Sequence, residues 1–111
     1  MKNLKKFPNQ YIIFKINIPI LKENIRKAIH FKKPNGMDDR WFVTYENNTI
    51  KFYRTWTGNC IYIAKLNENK DCIIEIFINN EPDEYKYSND KEELLLFEKI
   101  FNLLLGEGGN G

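Results

Sequence analysis

At 111 residues the chain has material for one compact domain around one core, and two domains would each be too small to bury an adequate interior. Hydrophobic residues make up 42% and aromatics 14%, with eight Phe and six Tyr, which excludes extended disorder and points to an aromatic-rich core. The 17 Lys and Arg stand against 15 Asp and Glu, and a net charge of +2 is too weak a field to draw in extended nucleic acid, so any anion site must be local.

No apolar run approaches the roughly 20 residues of a membrane span, and the N-terminus lacks the apolar core of a signal peptide. The expected setting is therefore cytoplasmic, without a membrane partner. Cys60 and Cys72 fall on adjacent expected strands, where a cross-strand bridge is conceivable, yet in a cytosolic chain two cysteines read as buried thiols. His30 is the single histidine, and there is no CxxC or HxxxH spacing, so no metal and no cofactor are expected.

Residues 1–8 are lysine-rich and aperiodic and read as a loose leader. Gln10 to Ile18 alternates, with Ile12, Phe14, Ile16 and Ile18 on one face, which predicts a half-buried strand. Pro19 suits the first turn of a helix, and Leu21, Ile25, Ala28 and Ile29 then repeat at helical spacing to about Phe31. Lys32 to Gly36 is a turn cluster, and Met37-Asp38-Asp39-Arg40 leads on to Trp41.

From Trp41 to Ile63 the pattern is a meander: two strands joined by Asn47-Asn48, then Arg54-Thr55-Trp56-Thr57-Gly58, then a strand from Cys60. Asp71 to Ile78 is apolar on both faces apart from Glu75, which predicts a strand inside the sheet or under a helix. A polar loop, Asn79 to Asn89, carries Tyr85 and Tyr87. Asp90-x-x-Glu93 has capping-box spacing, and Leu94, Phe97, Phe101 and Leu104 predict a helix to Leu105 that stops at Gly106. Its apolar stripe is wide enough to pair with a second copy of the chain as a homodimer. The tail 106–111 reads as flexible. The fold expected is a single α+β domain: an antiparallel β-meander curved at Thr57-Gly58, with the C-terminal helix packed on one face and an N-terminal strand and helix flanking it.

Alternation along the second meander strand puts Ile50, Phe52, Arg54 and Trp56 on one face, so an arginine falls on the apolar side. A guanidinium cannot shed its charge and must meet an anion, a ring or a cluster of carbonyls there, or be turned outward. Arg54 supplies a fork for phosphate, Trp56 a flat face for a base, and Thr57 with the Gly58 amide short donors; the bland alternative is a core tryptophan, a stacked arginine and a bend. Asp38 and Asp39 are placed to accept from ribose or base donors, or to hold Arg54 in place, or else to cap a solvated turn; in an enzyme they are the natural general bases. Arg40, Trp41, Tyr62 and Tyr85 complete the candidate set, with Trp41 walling or stacking, Tyr62 on the side of Cys60 and Ala64, and Tyr85 as a flap. Familiar nucleotide and hydrolase motifs are missing from the sequence.

These residues carry a resemblance. Asp38-Asp39-Arg40-Trp41-Phe42 and, after a hairpin, Arg54-Thr55-Trp56-Thr57-Gly58 with Ile61-Tyr62 are similar to a small bacterial and phage domain whose members carry DD-x-WF-x-Y and then HRSWTG-x-x-IY. The likeness runs from Met37 to Gly106. Such domains occur alone or beside ADP-ribosylglycohydrolase-type proteins, which implies a ligand of the NAD or ADP-ribose class. Tyr53 and Thr55 replace the histidine and serine of that pattern, which favours binding over catalysis. The expected function is non-catalytic binding of an anionic, nucleotide-type small molecule, an ADP-ribose derivative or a cyclic nucleotide, sequestering an immune signal as a phage anti-defence protein. Its rivals are a hydrolase acting on the same ligand and a protein-binding antitoxin or inhibitor module.

Overall fold

The structure, a computed structural model, describes residues 4–31 and 40–106. The turn expected at Lys32 to Gly36, the pair Asp38 and Asp39, and the tail beyond Gly106 lie outside the described residues. Five strands, β1 (Tyr11–Pro19), β2 (Trp41–Glu46), β3 (Thr49–Arg54), β4 (Cys60–Leu66) and β5 (Cys72–Asn79), form one antiparallel sheet in the order β1-β5-β4-β3-β2. Helices α1 (Lys22–Ile29) and α2 (Asp90–Leu105) complete the α+β fold. Strands β2 to β5 are the expected meander. β1 adds to its far side beside β5, and the chain then returns through α1 to the opposite edge.

Alternation sets the core. Val43, Ile50, Phe52, Tyr62, Ala64, Ile76 and Ile78 are buried on one face, and α2 covers them with Phe97, Ile100, Phe101 and Leu105. Phe52 meets Phe97 edge-on at 5.6 Å, and Tyr62 meets Phe97 at 5.5 Å, both favourable geometries for aromatic rings. The hairpin turn Asn47-Asn48 has φ of 52° and 60°, the doubly left-handed conformation that matches strand twist and that asparagine tolerates.

Several local expectations are corrected. Pro19 ends β1 opposite Cys72 instead of opening a helix. Ala28 is buried and Ile25 packs on the core as expected, but Leu21 and Ile29 are 53% and 54% exposed, and α1 also buries Asn24, whose side chain accepts from Leu21 N–H (2.7 Å) and donates to Leu105 O (2.6 Å). Lys27 Nζ likewise donates to Gly106 O at 2.6 Å. α2 has no basic residue in its own last turn, and α1 supplies the cation that its C-terminal dipole favours. The N-cap of α2 is Asn89 rather than Asp90: its side chain accepts from Glu92 N–H at 3.0 Å. The leader is tied down within 4–8, since Lys5 N–H donates to Gly58 O and Phe7 packs on Tyr11. Cys60 and Cys72 are free thiols at opposite ends of the sheet. Among the described residues no helix is long and apolar enough to cross a membrane.

Gly106 closes α2 as expected, though for a different reason. Its φ of −75° is open to any residue, but a Cβ would lie 2.4 Å from Asn102 O. Gly106→Ala should therefore cost about 1–3 kcal/mol in urea unfolding, through a forced shift of the last turn. An unchanged midpoint would show that the turn yields freely.

Candidate functional site

β2 and β3 run together to the same end of the sheet, where Trp41 stands directly opposite Arg54. The pairing continues one step, because Thr55 N–H donates to Arg40 O at 3.0 Å. The chain then turns: Gly58 N–H donates to Arg54 O (2.8 Å), Arg54 N–H to Asn59 O (2.9 Å), and Asn59 N–H to Thr57 Oγ1 (3.1 Å). Gly58 has φ of 80°, so the bend needs a residue without a Cβ penalty in the left-handed region.

Because β3 ends at Arg54, the alternation does not reach Trp56. Trp56 lies in the turn and is 69% exposed, not on the core face beside Arg54. Arg54 does fall on the apolar face and finds a ring there: its Cζ sits 5.1 Å from the centroid of Trp41. A cation on an indole contributes about 0.5–2 kcal/mol. Among the described residues no carboxylate lies within ion-pair distance of Arg54, and its side chain is exposed. Arg40, Arg54, Trp56 and Thr57 line a hollow of about 450 Å³. That is within the rough 300–1,000 Å³ range of small-molecule sites.

The other candidates take supporting places. Tyr62 is fully buried and stacks on Trp41 at 5.9 Å with rings 24° apart, so it holds the indole from below and does not reach solvent. β4 carries an extra residue, Ile61, between the pairs Phe52–Tyr62 and Tyr53–Cys60. Cross-strand partners share a face, so this bulge moves Cys60 to the side of Tyr53, away from Tyr62. The Gly58 amide is already bonded to Arg54 O and is no free donor. Thr57 Oγ keeps its own proton to give. His30 ends α1, exposed and apart from the hollow's described lining.

Beneath the site lies a polar cluster that the pattern of the sequence did not signal. Glu93 is 1% exposed, and its Oε1 accepts from Tyr85 OH (2.7 Å) and Tyr62 OH (3.3 Å) while Oε2 accepts from Ser88 N–H (2.8 Å). Asn79, fully buried, donates to Cys60 O and Glu84 Oε1 and accepts from Glu81 N–H, which fixes the loop that carries Tyr85. The only signal available beforehand was the density of Asn, Glu and Tyr around a helix start. Among the described residues no group of three or more His, Cys, Asp or Glu is placed to hold a metal.

Burial pushes the Tyr62 phenol well above its ordinary value, with Tyr85 and Glu93 adding to the shift. Burial likewise pushes Tyr85 up to about 12, the Glu93 bond and charge reinforcing it while Tyr62 and the Arg54 charge pull the other way. The Cys60 thiol rises from 9.0 to about 12, mainly by burial. Unfolded, these groups release protons near pH 9–10; folded, they hold them, so above pH 9 the unfolded state binds fewer protons and stability falls as pH rises towards 12. Urea unfolding at pH 8, 9, 10 and 11 should give a flat start and then a decline. Tyr85→Phe should decline less steeply than wild type, and equal slopes would count against this origin.

No protein-family model, curated protein or solved structure matches the chain.

Proposed function

We propose that the hollow at the end of β2 and β3 binds an anionic, nucleotide-type small molecule without chemically altering it. The observation that carries this reading is Arg54: a permanent charge with no described acid beside it, held on Trp41 at the wall of a hollow that also presents Arg40, an exposed indole and a hydroxyl. Guanidinium groups suit phosphate oxygens, Trp56 offers a face to a base, and Thr57 offers one further donor. Tyr53 and Thr55 stand where the resembling domain carries histidine and serine, which favours binding over hydrolysis. A second hollow of about 280 Å³ has Glu98 as its one charged lining residue among those described, so it offers an anion nothing.

Asp38 and Asp39 next to Arg40 are proposed contacts for ribose hydroxyls or a base amine. The motif likeness directs the choice of ligand to ADP-ribose derivatives and cyclic nucleotides, and in a phage such a binder would withdraw an immune signal from its receptor.

Thermal shift against NAD, ADP-ribose and cyclic nucleotides tests the reading. A true ligand at 100 times its Kd should stabilise the protein by about 2.7 kcal/mol. It should quench Trp56 fluorescence and return intact from the denatured complex. Trp56→Ala should weaken binding about 5- to 150-fold, the equivalent of one lost stacking contact. Return of a hydrolysed product would make the protein an enzyme, and a blank panel would remove the nucleotide reading.

A further inference from the structure

The outer face of α2 carries apolar surface that the fold does not use. Leu95, Leu96 and Leu103 are 58%, 40% and 72% exposed, whereas Glu93, Phe97, Ile100, Phe101 and Leu105 form the buried face. At 100° per residue, Glu92, Leu95, Leu96, Lys99 and Leu103 share one stripe opposite the core, with Glu92 and Lys99 both exposed. Leu21, also exposed, lies apart from the stripe on the α1 side, where it lines the second hollow with Glu98 and Asn102.

We propose that this stripe is the interface of a homodimer in which two α2 helices pack antiparallel about a two-fold axis passing between Leu95 and Leu96. The argument is charge complementarity. In that register Leu95 faces Leu96 of the second copy, and Glu92 faces its Lys99; two-fold symmetry repeats both contacts, so four leucines lie between two ion pairs. An axis through Lys99 would bring Leu95 onto Leu103 but set Lys99 against itself, and a parallel pair would do the same. Only the first register gives each charge an opposite. Glu92 Oε1 accepts from Ser88 Oγ at 2.6 Å, which leaves Oε2 for the second copy. The surface lies outside the described lining of the proposed ligand site, so this inference stands or falls independently of that one.

Sedimentation velocity from about 1 μM to 1 mM should show a reversible monomer–dimer equilibrium. Lys99→Glu or Glu92→Lys alone should raise the dimer Kd about tenfold, since each turns two attractive pairs repulsive. The double swap Glu92→Lys with Lys99→Glu should restore it, and Leu96→Glu should abolish the dimer. Thermal melts of each variant check that the monomer stays folded. A wild-type monomer at every concentration overturns the proposal, whether or not it sediments with anionic vesicles. So do folded single variants with unchanged Kd, or a folded double swap that fails to recover.

Discussion

A guanidinium that can be neither neutralised nor fully buried decides how this end of the sheet is built. Arg54 closes β3 on the core face, and the rings beneath it form a continuous path from the middle of the protein outward: Phe101 and Phe97, then Phe52 and Tyr62, then Trp41, then the charge. Each ring is held by the one below, so the cation at the rim is mounted on packed aromatic surface rather than on a mobile side chain. Part of the cost of ordering a long side chain is thereby met by the fold itself.

The second determinant is polar. Glu93 brings a carboxylate into the interior, and two phenols and a backbone amide satisfy it, so its burial is compensated by hydrogen bonds instead of by a cation. Because Tyr62 belongs to both the carboxylate cluster and the ring stack, the start of α2 and the position of Trp41 are coupled through one side chain. Asn59, by contrast, keeps a buried Oδ1 with no hydrogen-bond partner among the described residues behind the turn at Thr57. An unmet acceptor of that kind costs roughly 1–3 kcal/mol, so the turn is not optimised for stability alone.

Much of this was legible in the residue pattern. Strands β1 and β3 show through period-two alternation, β5 through its apolar run, the Asn47-Asn48 turn through its tolerance of positive φ, and α2 through spacings of three and four. The arginine on the apolar face was legible as well, because alternation carries that far along β3. What the pattern could not convey depends on contacts distant in sequence. Asn24 finds Leu105 O, 81 residues away, and Glu93 finds Tyr62, 31 residues away, whereas periodicity sees only near neighbours. Trp56 was misplaced because a strand's last residue is set by turn hydrogen bonds, and Cys60 because a single extra residue, Ile61, inverts the faces of everything before it.

The position of β1 has a consequence for assembly. Strand β1, which precedes the other four along the chain, pairs only with β5, Tyr11 opposite Asn79, so 68 positions separate residues that must meet. Strands β2 to β5 can zip up through short connections while β1 has nowhere to go, and its apolar side, Ile12 and Phe14, stays uncovered until β5 has formed. Capture of β1 by β5 is thus the pairing of greatest sequence separation in the sheet and the one that closes the largest loop.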